Sequence, residues 1–254
     1  MPIEFPGFFD LQVNGFAGVD FNEPCMPDQL QHAIQAQCAT GVTRFLPTLI
    51  TSSLEHFASC ARAITNFANA AMAGIHMEGP YISPADGPRG AHPKAHVRAA
   101  SIEDFQRRQE AAAGKIVLVT LAPEVPQAMA LIEYLVAHKI KVAIGHTAAS
   151  PEQIRAAIGA GATLATHLGN GCANLLPRHP NFIWEQLAAD ELSASFIVDG
   201  HHLPPATVKA MLRAKTPARS LLVTDAIAAA GCAPGIFELG GVQVELSADG
   251  RVAE

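Results

Sequence analysis

The stretch Lys141-Val142-Ala143-Ile144-Gly145-His146-Thr147-Ala148-Ala149-Ser150-Pro151-Glu152-Gln153 holds one complete structural unit. Its first four residues form a short apolar run with the β-branched content of a buried strand. The polar triplet Gly145-His146-Thr147 closes that run. Ser150 then precedes Pro151, a residue favoured at the first helical position because its missing N–H is not needed there. A helix over 151–159 follows, so the unit reads as strand, polar end, helix.

The same order recurs in both directions. Strands are expected at 8–13, 44–46, 74–77, 116–121, 141–144, 163–166, 194–198 and 220–223. Helical patterns fall at 28–40, 53–70, 102–113, 126–138, 151–159 and 204–214, with a shorter seventh helix after Trp184. Ser101-Ile102-Glu103-Asp104 marks a second helix start through its S-x-x-[DE] capping pattern. Strands alternating with helices imply right-handed βαβ units and a parallel sheet, and eight strands favour a closed (β/α)8 TIM-type barrel over an open one. The tail departs from this order. Residues 237–246 alternate like a hairpin around Gly240-Gly241, and no eighth helix follows the eighth strand. The chain therefore reads as one barrel domain over 1–254, incomplete at both ends.

At 254 residues, 49% of them hydrophobic, there is enough apolar material for one such core. The net charge of −6 disfavours nucleic acid and anionic membranes as partners. Five widely spaced cysteines without a C-x-x-C offer neither a disulfide framework nor a cysteine zinc site, and suit a reducing, cytoplasmic setting. No signal peptide is visible, and the longest apolar run, 156–165, is too short to span a bilayer. Dinucleotide-binding, P-loop and serine-hydrolase readings lose support because G-x-G-x-x-G, Walker A and G-x-S-x-G are all missing. One loop gathers Arg89, Lys94 and Arg98, either as a solvated patch or facing an anion.

Four strand ends carry chemistry: Glu78 in His76-Met77-Glu78-Gly79-Pro80, His146, His167 in Thr166-His167-Leu168, and Asp225 in Thr224-Asp225-Ala226. Catalytic zinc-type sites take three ligands from histidine and carboxylate and leave a position open for water. Glu78, His146 and His167 supply that set, with Asp225 free to handle the water's proton. Singly, Glu78 is equally a loop cap and each histidine a hydrogen-bonded core residue; the conjunction points to a metal centre. His76 shares the side of Glu78 by strand alternation and reads as pocket lining. His32, His56 and His138 fall in helical patterns and read as surface residues.

These runs, together with Pro6-Gly7-Phe8-Phe9-Asp10-Leu11-Gln12-Val13-Asn14-Gly15, Leu46-Pro47-Thr48, Leu121-Ala122-Pro123-Glu124 and Asp199-Gly200-His201-His202, resemble the N-acetylglucosamine-6-phosphate deacetylase family of the amidohydrolase superfamily. The resemblance covers nearly the whole chain in order. It implies metal-dependent removal of acetate from an N-acetyl amino sugar phosphate in amino sugar catabolism. Glu78, His146 and His167 would hold one divalent ion, zinc by expectation and iron(II) or another ion by alternative. Asp225 would be the acid/base, and His202, with His201 as its rival, would stabilise the oxyanion. His92, Asn170, Gly171 and Arg178 would contact the substrate, Arg178 from a neighbouring subunit, which implies a homodimer.

Three departures qualify the match. Gln12 and Asn14 stand where many amidohydrolases have His-x-His, which predicts a single ion because neutral amides are poor transition-metal ligands. Gly169-Asn170-Gly171-Cys172 replaces a usual Tyr-Asn-Ala-Met run. The flanking β-sandwich and final barrel helix of the family are also missing. The alternatives are an amidohydrolase for another N-acyl sugar or cyclic amide, or an inactive fragment.

Overall fold

A computed structural model describes residues 6–239 and 242–253. The barrel strands are β1 (Phe8–Val13), β2 (Val42–Leu49), β3 (Ile75–Glu78), β4 (Ile116–Leu121), β5 (Lys141–Ile144), β6 (Leu164–Ala165), β7 (Ser193–Ile197) and β8 (Ser220–Val223). Between them lie α1 (Pro27–Ala39), α2 (Leu54–Asn66), α3 (Ile102–Ala111), α4 (Ala128–Ala137), α5 (Pro151–Gly159), α6 (Phe182–Ala188) and α7 (Pro205–Lys215). All neighbours in the eight-stranded sheet are parallel and follow chain order, as the alternation required.

The seam between β1 and β8 closes the barrel. The N–H groups of Asn14 and Gly15 donate to the Ala226 carbonyl at 2.7 and 3.0 Å, and Asp225 N–H donates to Gln12 O at 3.0 Å. Below them the buried Asp10 carboxylate accepts the Thr224 hydroxyl at 2.7 Å, the Thr224 N–H at 3.2 Å and the Gln12 N–H at 3.1 Å. Burial raises the Asp10 carboxyl above its ordinary range, against the pull of those donors.

Alternation along the strands builds the interior in layers. Leu46, Leu118, Ala143 and Leu164 form an apolar floor with Leu11 packed on it. Two residues further along three of these strands come Thr48, Thr120 and Thr166, joined by His76 from β3. His76 Nδ1 donates to Leu11 O at 3.1 Å, its Nε2 accepts the Thr120 hydroxyl at 2.7 Å, and Thr120 Oγ1 lies 2.7 Å from Thr166 Oγ1. Two residues beyond His76 stands Glu78. Beneath the floor, the N-terminal mouth is a cleft of about 540 Å³ lined by Phe9, Leu11, Leu46, Leu118, Leu164 and Leu221. Outside the sheet, the larger core packs Phe45, Ile75, Val119 and Val142 against helix residues such as Leu30, Phe57, Phe105 and Leu131.

Both helix starts read from sequence are capped. Ser101 Oγ accepts the Asp104 N–H, and Ser150 with Gln153 forms a reciprocal capping box. Some boundaries differ from expectation. β2 runs past Pro47 to Leu49, and the Val13 N–H of β1 donates to Thr48 Oγ1 at 3.0 Å. β6 is only two residues long, because Ser195 Oγ takes the His167 N–H and the chain turns out of the ladder there. α6 starts before Trp184, at Phe182, where Asn181 accepts the Ile183 and Trp184 N–H groups. A small ribbon, Gly15–Phe16 with Val19–Asp20, was not anticipated.

After β8 the described residues form a three-stranded antiparallel sheet, β9 (Gly235–Leu239), β10 (Val242–Leu246) and β11 (Val252–Ala253). The Gly240-Gly241 turn expected there lies outside the described residues. No described helix follows β8, and Leu222 stands 59% exposed on that strand. No described helix is long and apolar enough to cross a membrane.

The seam yields a first test. Asp10→Ala leaves the Thr224 hydroxyl and two N–H groups without their acceptor, so urea unfolding should report a loss of roughly 2–4 kcal/mol. Asp10→Asn, which keeps an acceptor oxygen, should lose about half as much. A loss below about 1 kcal/mol for Asp10→Ala would mean the backbone pairs alone hold the seam.

Candidate metal centre

Glu78 ends β3, His146 and His167 each lie two residues beyond β5 and β6, and Asp225 lies two beyond β8. The last three adopt left-handed backbone, with φ of 50°, 28° and 51°. Such conformations cost a non-glycine residue on the order of 1–3 kcal/mol and persist only where surrounding contacts enforce them. Each bends the chain out of its strand at the barrel's C-terminal mouth.

There the donors meet. Glu78 Oε1 lies 3.2 Å from His146 Nε2 and 3.1 Å from His167 Nε2, and the two imidazole nitrogens are 3.1 Å apart. A tetrahedral ion with bonds of about 2.0–2.1 Å spaces its ligands about 3.3–3.4 Å apart, so this near-equilateral triangle fits one. The His146 tautomer is set, because Nδ1 donates to the Pro88 carbonyl at 2.9 Å and leaves the Nε2 lone pair facing the triangle. The ring fills a slot between two glycines: a Cβ at Gly171 would come 2.9 Å from Nδ1, and one at Gly90 3.3 Å from the ring. His92 belongs to the same cluster. Its Nε2 is 3.7 Å from Glu78 Oε2, and its ring packs edge-on against His146 with centroids 4.3 Å apart. Glu78, His92 and His146 therefore form a second compact donor trio. The set with His167 is tighter and matches the expected ligands.

The two amides at the His-x-His positions turn their N–H groups toward carboxylates. Gln12 Nε2 donates to Glu78 Oε1 at 2.9 Å, and Asn14 Nδ2 donates to Asp225 Oδ1 at 2.7 Å. Asn14 Oδ1 and His167 Nδ1 are buried without a partner among the described residues, as in sites that take up water or a ligand group.

Charges in this pocket shift one another. Burial pushes the Glu78 carboxyl up, but His146 and His167 outweigh it and hold it well below its ordinary value. Burial pulls His167 down, yet the hydrogen bond and charge of Glu78 raise it to about 8. Asp225 is pushed up to about 6 by burial and by the Glu78 charge. Burial lowers His92 to about 3 and His76 to about 4, so both are neutral at physiological pH.

A model of the amidohydrolase family matches residues 3–239. The chain belongs to that family. It is 37% identical over 262 residues to the N-acetylglucosamine-6-phosphate deacetylase of Bos taurus, covering 98% of this chain and 63% of that protein. It is 36% identical to the N-acetylgalactosamine-6-phosphate deacetylase of Shewanella sp. (strain ANA-3), over 89% of this chain and 57% of the relative. Among solved structures, a mutant N-acetyl-D-glucosamine-6-phosphate deacetylase from Mycobacterium smegmatis, in complex with N-acetyl-D-glucosamine-6-phosphate, superposes with a TM-score of 0.90 at 32% identity, over 96% of this chain and 63% of that one. The chain thus spans less than two thirds of the length of these relatives.

Around this amidohydrolase centre the remaining expected residues are more dispersed. His202 is exposed on the loop after β7, and its Nδ1 donates to Asp199 Oδ2 at 2.7 Å. His201 instead reaches the Asp249 carbonyl in the tail sheet at 3.2 Å. Asn170 donates to the His167 carbonyl at 3.3 Å, and Gly171 packs on His146. Arg178 is exposed, with no hydrogen bond or ion pair among the described residues. His92, expected to contact the substrate, is buried beside Glu78. Sequence reasoning missed the donor roles of Gln12 and Asn14, and the Thr120–Thr166 pair under the site. Their signal was the alternation that puts both threonines two residues past a floor leucine.

The raised His167 gives a pH test. Below about 8 the metal-free imidazole carries a proton that an ion at Glu78, His146 and His167 must displace. Zinc titration at pH 7 should therefore release close to one proton per ion from this group, a release that fades above pH 8. Apparent affinity should weaken by about tenfold per pH unit below that point. Calorimetry in two buffers of different protonation enthalpy reads the release directly, and none at pH 7 would refute the assignment.

Proposed function

We propose that this amidohydrolase barrel hydrolyses the N-acetyl group of N-acetylglucosamine 6-phosphate, giving glucosamine 6-phosphate and acetate, with one zinc-type divalent ion per chain. The observation that carries the reading is the Glu78/His146/His167 triangle with the half-buried Asp225, held through Oδ1 by Asn14, at the neighbouring strand end. The names of the relatives supply the substrate class.

When bound, a divalent ion held by Glu78, His146 and His167 supplies Lewis acidity, polarising an amide oxygen and making a neighbouring water more acidic. The Gln12 amide holds Glu78 in place as a carboxylate. Asp225 accepts a proton from the attacking water at Oδ2, since Oδ1 is already held by Asn14. As the C–N bond breaks, Asp225 returns that proton to the nitrogen, so the sugar leaves as an amine. A carboxyl raised to about 6 suits both halves of that exchange. With Nδ1–H held by the Asp199 carboxylate, His202 serves the developing oxyanion as an imidazolium, donating from Nε2–H.

His92, Asn170 and Gly171 serve the sugar in this reading. The unpaired guanidinium of Arg178 serves the phosphate, in a neighbouring subunit of a homodimer, because its planar fork matches phosphate oxygens. A cytoplasmic setting follows from the cysteine pattern. The second reading is the galactosamine epimer, favoured by relatives named for it.

Amine release from 6-phosphorylated N-acetylglucosamine, its galactosamine epimer and the unphosphorylated sugars decides among these readings; no release from any of them by zinc-loaded protein would reject a deacetylase. Asp225→Asn should retain the ion and lose turnover by roughly 10²- to 10⁴-fold. Near-normal turnover would remove Asp225 from the mechanism, and loss of the ion would make it a ligand instead. Arg178→Ala should lower kcat/KM for the phosphorylated sugar by roughly 10- to 100-fold while barely changing the unphosphorylated one. Equal losses on both would show that Arg178 does not read phosphate.

A further inference from the structure

Glu124 lies outside the donor cluster, in the loop between β4 and α4, yet both of its carboxylate oxygens are spent on the residues that follow His146. Thr147 Oγ1 donates to Oε2 at 2.5 Å and Ala148 N–H donates to Oε1 at 2.6 Å. Thr147 Oγ1 in turn accepts the Ala149 N–H at 3.0 Å, so the hydroxyl is held from two sides. On the other flank of His146, Gly145 N–H donates to Leu121 O at 3.1 Å, at the end of β4. The His146 carbonyl accepts the Ser83 N–H at 3.0 Å. The left-handed backbone of His146 is therefore pinned before and after by one segment, residues 121–124.

These contacts are unusual in their placement. Hydrogen bonds to an ionised carboxylate are stronger than neutral ones, and a bidentate pair also fixes direction. The Glu124 pair acts one and two residues past a backbone angle that costs a histidine free energy. Without it, Thr147 and Ala148 lose their acceptors, and only the Gly145–Leu121 and Ser83–His146 backbone bonds oppose relaxation of His146 toward the extended conformation that its strand would otherwise continue. That relaxation swings Nε2 away from Glu78 Oε1 and His167 Nε2. The Pro88 carbonyl and the Gly90–Gly171 slot orient the ring about its own axis, but they do not hold the backbone that carries it.

We propose that Glu124 is a positioning residue for the metal centre: through Thr147 and Ala148 it locks His146 in the left-handed conformation that completes the donor triangle. The inference rests on the reading that His146 is a metal donor. Partners that orient metal ligands typically contribute 10- to 100-fold to affinity.

The test measures zinc affinity of the 254-residue chain by chelator competition, together with the thermal midpoint of the metal-free protein. Glu124→Ala should weaken zinc binding by roughly 10- to 100-fold, and Glu124→Gln, which retains one acceptor, by less. Thr147→Val, which removes only the hydroxyl, should fall between wild type and Glu124→Ala. The His146 imidazole resonances of zinc-loaded Glu124→Gln should move relative to wild type while those of His138, on the far surface, stay put. Unchanged zinc affinity in Glu124→Ala, with only a lowered midpoint, would overturn the proposal and leave Glu124 a loop staple. If Glu124→Ala does not fold, unchanged affinity and an unmoved His146 signal in Glu124→Gln overturn it equally. His146→Asn distinguishes the two levels. Retained tight zinc binding in that variant would defeat the metal reading itself, whereas lost binding there beside normal binding in the Glu124 variants would defeat only the positioning role.

Discussion

A single buried carboxylate, Glu78, sets the terms for the centre of this molecule. An ionised group in such a place is tolerated only if it is surrounded by donors or cations. Here the surroundings come from four other parts of the chain: the Gln12 amide, His146, His167 and, at longer range, His92. Each sits at a strand end or in the loop beyond one, so satisfying one charge requires the barrel to be closed and in register. Fold and site are in that sense one problem. The Asp10–Thr224 seam brings β1, with its two amides, within reach of Glu78 and Asp225.

Much of this could be read from the amino acids alone. Each of these short apolar runs ends at, or is followed within two residues by, a side chain that can ligate a metal or carry a proton, and Glu78, His146, His167 and Asp225 all announce themselves in that way. Helix starts with side-chain caps were equally plain at Ser101 and Ser150, because the capping donors lie within three residues of the cap. Asn181 obeys the same rule at α6, but the proline-rich run before it hid the signal.

What could not be read depends on contacts between residues far apart in sequence. The reach of β2 past Pro47, with Thr48 Oγ1 taking the Val13 N–H from β1, follows from the paired strand and not from the local sequence. His92 looked like a loop residue because nothing local shows that its loop folds under and buries it against His146. Gln12 and Asn14 were recognised as non-ligands, yet their hydrogen bonds to Glu78 and Asp225 follow from barrel closure and not from spacing. Lys215, at the end of an ordinary amphipathic helix, is buried; its amine donates to the Gln186 and Ala189 carbonyls at 2.7 and 2.5 Å, closing the C-terminal end of α6. Backbone angles such as that of His146 leave no mark in a strand-like run.

The layered interior makes the barrel a well and not a channel. Leucines and alanine fill its bottom, and above them the His76–threonine layer is neutral and fully hydrogen-bonded to itself and the strands. Among the described residues these two layers separate the charged mouth from the cleft at the opposite end, whose lining combines leucines with Arg44, Lys141 and Glu191. Whatever reacts at the mouth has one doorway for entry and departure. A reaction that splits one molecule into two must then clear its products in turn, and the slower to leave holds the door against the next arrival.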